Sequence, residues 1–325
     1  MTETDPSIAQ RHAGFHTPET TTFALIKEQT GCTPVKRTKI VRGYDSEVYD
    51  VATKEGYSFI VKVKHYGRIS YEQEQWALEM CRNVGVPVPR TCAIGRVQIE
   101  EKAREYMVQE KARGQSLADR IATGSLTQIN QALHNAGELL RQIHQVKAGG
   151  FYHRHLNATW DFATWKSLGN TMVSERAKET DDLLQASFSP VEVEAMLHFL
   201  ELYRDEFTCE QPVLCHGDFT LEHIFLDEEW HVTAILDFGE FLGNHPIHDF
   251  AYFNTEYPAY PLHILRAGYG DHEMFGDRFP ERLLLHKLGI QMEYLAYEVR
   301  EGMKRKVEFH TRELGETLRN LTKSL

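Results

Sequence analysis

The chain has no apolar run approaching the roughly 20 residues that cross a bilayer, and its N-terminus lacks a basic stretch followed by an apolar core. Neither a membrane span nor a signal peptide is therefore expected. Basic residues are outnumbered, 36 Lys plus Arg against 47 Asp plus Glu, and the short basic stretch Lys304-Arg305-Lys306 reads as a solvated face. A net charge of -11 would repel a phosphate backbone, which excludes nucleic acid as a partner and leaves room for a cationic one. Cysteine is scarce as well: five residues, an odd number with no C-x-x-C pair, give no disulfide framework and suit a reducing cytoplasm. What the 325 residues do contain is 42% hydrophobic side chains, enough for real cores without staples.

The most informative stretch runs from Val213 to Tyr252. An apolar run, Val213-Leu214-Cys215, predicts a buried strand that ends in His216-Gly217-Asp218. A second run, Ile224-Phe225-Leu226, follows His223, and after a polar turn at Asp227-Glu228-Glu229 a third run ends at Asp237-Phe238-Gly239. Two strand ends each deliver an aspartate. Phosphoryl transfer needs one carboxylate to orient an attacking hydroxyl and other ligands to hold a divalent ion against a polyphosphate. Asp218 suits the first task, and Asp237 with His223 the second.

These residues, together with Asn244-His245-Pro246-Ile247-His248-Asp249-Phe250-Ala251, resemble the catalytic and metal-binding segments of the aminoglycoside phosphotransferase and choline kinase family. The resemblance implies an α+β, two-lobed protein-kinase-like fold, with an N-terminal antiparallel five-stranded sheet lobe and a larger, mainly helical C-terminal lobe. It implies ATP and Mg²⁺ as well. The chain departs from the family at His223, where Asn is usual; imidazole suits Mn²⁺ better than an amide oxygen does, so Mn²⁺ is a candidate ion. A nucleotide-binding pseudokinase with a regulatory role is the alternative that this replacement raises.

Along the rest of the chain, residues 1–16 are unpatterned and predict a flexible tail. Thr17-Pro18-Glu19 reads as the cap and first turn of a short helix that Gly31 stops. Three strands are expected over 35–41, 47–52 and 57–63, and two more over 91–96 and 105–109. Lys62 stands inside the apolar run Phe59–Val63, where its charge needs a partner. By resemblance it is the lysine that grips the nucleotide phosphates, paired to a glutamate of the helix over 71–82: Glu74, with Glu72 and Glu79 as other candidates. The same resemblance places Ser46 in the phosphate-covering loop Arg42–Ser46 and the adenine-pairing backbone at Val108, Gln109 and Glu110. A nucleotide-binding lobe over 17–110 and a catalytic, substrate-binding lobe over 111–325 follow.

Beyond residue 111 the apolar spacing becomes helical over 126–146, and Ser189-Pro190-Val191-Glu192 is a capping box for a helix to about Tyr203. His144 is expected to be a structural histidine beside the catalytic loop. Trp160 opens a stretch expected to be helical, and 281–321 reads as helix. Trp160, Glu240, Glu256 and Tyr257 are the acceptor-pocket candidates, aromatic faces for a ring and carboxylates for an amine. The expected reaction moves the γ-phosphate to a hydroxyl of a small molecule, an aminoglycoside-like antibiotic or another hydroxylated natural product. Oligomeric state is not legible.

Overall fold

The computed structural model describes residues 12–43, 45–271 and 273–324. Most of the expected tail, residues 1–11, and Tyr44 of the phosphate-loop candidate lie outside them. The chain divides into two units, and the division is not the one expected at residue 110. Residues up to Ala132 are joined by Leu221–Gly239, while Leu133–Thr220 and Glu240–Leu325 form the other unit. The reason is a long-range strand pairing that composition cannot reveal. Strand β10 (Ile224–Leu226) pairs on one side with β11 (Val232–Ile235) and on the other with β6 (Gln115–Ser116), which ties the metal-candidate hairpin to the first unit.

In the first unit, helix α1 (Glu19–Thr30) precedes β1 (Pro34–Ile40), β2 (Ser46–Thr53) and β3 (Ser58–Lys64). Helix α2 (Tyr71–Asn83), β4 (Thr91–Ile99) and β5 (Lys102–Glu110) follow. The strands form one antiparallel sheet in the order β1-β2-β3-β5-β4. Strict alternation of burial along β2 and β3 sends Tyr49, Val51, Phe59, Val61 and Val63 to one face, where Leu25 and Ile26 of α1 cover them. Burying each such side chain contributes roughly 1.5–3 kcal/mol. The same alternation turns Lys62 to the opposite face, toward Glu74 of α2. Helix α1 starts differently from expectation: Pro18, not Thr17, is the cap residue, and the Thr17 N–H donates instead to Glu47. Residues 12–16 are not loose. His12 and Phe15 are buried, and Phe15 stacks on His65 with ring centroids 3.9 Å apart.

The second unit contains most of α3 (Leu126–Ile143). It also holds a small sheet ordered β8 (Trp160–Phe162), β7 (Phe151–Arg154), β12 (Leu242–Asn244), β9 (Val213–Cys215). Trp160 thus begins a strand, not a helix; α4 (Trp165–Lys178) starts only where Thr164 caps it. Helix α5 (Pro190–Glu206) carries the expected Ser189/Glu192 capping box. Next come α6 (Ile247–Glu256), α7 (Leu262–Tyr269), α8 (Phe279–Arg300) and α9 (Lys304–Ser324). The last two are separate helices because Gly302 turns the chain at φ 69°. Leu285, Leu288 and Met292 of α8, Leu314 and Leu318 of α9, and Met196 and Leu200 of α5 share one core. Among the described residues, no helix is long and apolar enough to cross a membrane.

Candidate active site

In the first unit, β3, α2 and the end of β11 bring three charges together. The Lys62 ammonium lies 2.9 Å from Glu74 Oε1 and 3.1 Å from Asp237 Oδ1. Burial disfavours the Lys62 charge, but Asp237 and then Glu74 more than offset it, so the ammonium is held above its ordinary pKa. Glu74 is buried, whereas the Asp237 side chain is 48% exposed. Asp237, just beyond β11, also adopts a left-handed backbone conformation, φ 61°. His223 Nε2 stands 3.7 Å from Asp237 Oδ2. Two donors each roughly 2.1 Å from one ion lie about 3–4 Å apart, so this imidazole and carboxylate fit a shared divalent cation. Ser46 opens β2, and its hydroxyl is 2.9 Å from the Tyr71 hydroxyl.

The three adenine-pairing candidates lie together at one strand end. Val108, Gln109 and Glu110 belong to β5, an internal strand flanked by β3 and β4. The Glu110 N–H donates to Arg90 O at 2.9 Å. The chain leaves the sheet only after Lys111, whose N–H donates to Ser58 O.

In the second unit, Asp249 organises the loop that carries Asp218. Its two carboxylate oxygens accept from the backbone N–H groups of His216 (2.8 Å) and Gly217 (2.9 Å), and Oδ2 also lies 2.9 Å from His144 Nε2. His144 is fixed from its other side by the Tyr269 hydroxyl, 3.0 Å from Nδ1. Burial alone would raise the Asp249 pKa, but the His144 hydrogen bond and neighbouring imidazoles reverse this and hold it at about 2. Gly217 has φ 83°, and a Cβ there would collide with the Glu240 carbonyl oxygen. Glycine is thus required beside Asp218.

The acceptor candidates separate. Glu256 ends α6 and is electrostatically coupled to Asp218; burial, with Asp218 and Glu298 adding to it and His310 opposing, pushes its pKa up to about 6. Tyr257 follows it and meets Tyr260 edge to face. Glu240 is exposed just after the Asp237-Phe238-Gly239 turn. Trp160, half-buried, packs against Gly149, Gly150 and Gly243 in the small sheet.

Sequence reasoning missed the groups behind Glu256. His310 of α9 is buried, 2.8 Å from Glu298 through Nδ1 and 3.9 Å from Glu256 through Nε2. Half-buried Tyr252 and Tyr294 are hydrogen-bonded to each other and feel the charge of Asp218. The available signal was position: His310 shares the buried stripe of α9 with Leu314, Leu318 and Leu321.

A family model described as "Phosphotransferase enzyme family" matches residues 36–281. No curated protein matches the chain by sequence. Among solved structures, a thermostable mutant of aminoglycoside phosphotransferase APH(4)-Ia, in ternary complex with ADP and hygromycin B, is similar. It has a TM-score of 0.69 at 17% identity, covering 91% of this chain and 97% of that one. The GDP and kanamycin complex of APH(2")-IIia has a TM-score of 0.63 at 16% identity, covering 93% and 99%. A macrolide 2'-phosphotransferase type I has a TM-score of 0.54 at 18% identity, covering 92% and 98%. These likenesses establish a protein-kinase-like fold.

Proposed function

The chain belongs to the phosphotransferase enzyme family, a kinase acting on an alcohol group of a small molecule, and on that premise we propose how its residues divide the reaction and what acceptor they suit. Lys62 binds the phosphates of a nucleoside triphosphate, and Glu74 fixes the lysine in place. Asp237 and His223 hold a divalent cation, Mg²⁺ or Mn²⁺, whose charge offsets that of the triphosphate. Asp218 orients the acceptor hydroxyl and takes its proton as the phosphoryl group moves. The Asp249-anchored loop holds Asp218 for that task. Base recognition falls to the backbone at the end of β5, Val108 to Glu110. Because the similar structures carry either ADP or GDP, ATP is the first nucleotide to assay and GTP the second.

The acceptor is a hydroxylated natural product bearing an amine, of the aminoglycoside kind. Asp218 and Glu256 offer it carboxylates, and Glu256 carries its charge above about pH 6. The observation that carries this reading is the convergence of Lys62, Glu74 and Asp237 within 3.1 Å. It accounts for the buried lysine, the buried glutamate and the left-handed aspartate together. The test is incubation with γ-labelled ATP or GTP and a panel of amino sugars, amino alcohols, macrolides and nucleosides. Transfer to amino sugars is expected, falling about 10²–10⁴-fold in Asp218→Ala. Transfer to none of them, or an unchanged rate in Asp218→Ala, defeats the proposal.

A further inference from the structure

From basic residues scattered along the sequence, the first unit assembles a concavity largely of one sign. A cavity of about 340 Å³ is lined by Lys64, His65, Arg68, Arg96, Arg104 and Glu105, among others, a volume within the range of small-molecule sites. Four of these six are permanent cations against one carboxylate, in a chain where acids outnumber bases 47 to 36. Glu105 is already engaged, 3.8 Å from Arg96 and accepting from the Tyr71 N–H. Among the described residues no carboxylate pairs with Lys64, Arg68 or Arg104. The Lys64 ammonium donates to Ile69 O, and Arg104 Nη1 donates to His65 O at 3.3 Å, which leaves most of their donors unassigned. The wall is rigid where it needs to be: His65 is held by Glu47 at 2.7 Å and stacked on Phe15. Like charges gathered in this way repel one another unless an anion comes between them.

We propose that this cavity binds a small phosphate-bearing anion through Lys64, Arg68 and Arg104, and that its occupancy steadies α2. The connection to α2 is direct. Ile69 and Ser70 line the cavity, Ser70 caps α2, and Glu74 sits in the first turn of that helix. Lys64 lies over the Tyr71 ring, 4.6 Å from its centroid, and the Tyr71 hydroxyl meets Ser46. An anion that draws in Lys64 and Arg68 therefore acts on the helix that positions the partner of Lys62. Binding itself stands independently of the proposed function; only the effect on nucleotide affinity rests on it.

The test is calorimetric titration with inorganic phosphate and with a hexose phosphate at constant ionic strength, with chloride as control. Both phosphates are expected to bind, and the stronger of the two names the ligand's source. Arg68→Ser combined with Arg104→Gln should weaken binding at least about tenfold, while Lys62→Ala should leave it in place. Arg68 is exposed, so Arg68→Ser alone carries the test should the double variant fold poorly. Nucleotide affinity should rise with phosphate in the parent and not in the Arg68 variant. Equal binding by the parent and the Arg68 variants, an equal response to chloride, or loss of the response in Lys62→Ala overturns the site. Nucleotide affinity indifferent to bound phosphate overturns the link to α2.

Discussion

Asp237 and Asp249 come from one short stretch of chain, and their surroundings treat them in opposite ways. Asp249 is fully buried, and both oxygens are committed to two backbone N–H groups and a histidine. Asp237 is half exposed, and its closest charged neighbours are a lysine at 3.1 Å and a histidine at 3.7 Å. A buried carboxylate is tolerable only when hydrogen bonds replace the water it lost. Once so bound, it can no longer serve a ligand. An exposed one retains that freedom and contributes little to stability. The pair shows one residue type split into a builder and a worker by solvent access alone.

The sharpest way to break this comparison is Asp249→Ala. It strands the His216 and Gly217 N–H groups and His144, and should cost about 3–5 kcal/mol in urea unfolding. A loss below about 1 kcal/mol would mean that the loop does not depend on this carboxylate. Acid should act on the same group. Its folded pKa, about 2, lies below the ordinary 3.8, so its stabilisation is present above pH 3.8 and is lost as pH falls toward 2. Asp249→Asn should flatten that acid limb. Next in size, Asp237→Asn should lower transfer about 10²–10³-fold while shifting stability by no more than about 0.5 kcal/mol; a large stability loss would make Asp237 a builder too.

A smaller effect concerns Glu256. Its folded pKa is raised to about 6, so affinity for a cationic acceptor should climb as pH passes upward through 6, and Glu256→Gln should abolish the climb. An uncharged acceptor showing the same profile would exclude Glu256 as the cause. The raised value also means that ionising Glu256 works against folding, so its contribution to stability declines from about pH 4.5 to 6. The smallest change is expected for His223→Asn, a few-fold shift of metal preference from Mn²⁺ toward Mg²⁺, read from the ratio of rates with the two ions.

Local signals were legible in the sequence where the relevant physics is local. Alternation in Ser58–Lys64 set Lys62 apart from its apolar neighbours, and the helix after it supplied Glu74 at 2.9 Å. The capping box at Ser189 and the strand runs before Asp218 and Asp237 belong to the same class. What could not be read depends on distant pairing. That β5 lies between β3 and β4 is one such pairing. Where Trp160 packs depends in part on Gly243, which is far from it in sequence. The cations of the basic cavity come from β3, the turn after it, β4 and β5, so no window of sequence contains them together.

The left-handed turn at Asp237 has a consequence for anyone improving this protein. A side chain in that conformation costs on the order of 1–2 kcal/mol that glycine does not, a gain that Asp237→Gly would set against the lost carboxylate partner of Lys62. Where that gain is the larger, breeding this chain for heat tolerance alone should favour glycine at 237, yielding hardier molecules that have given up their catalysis.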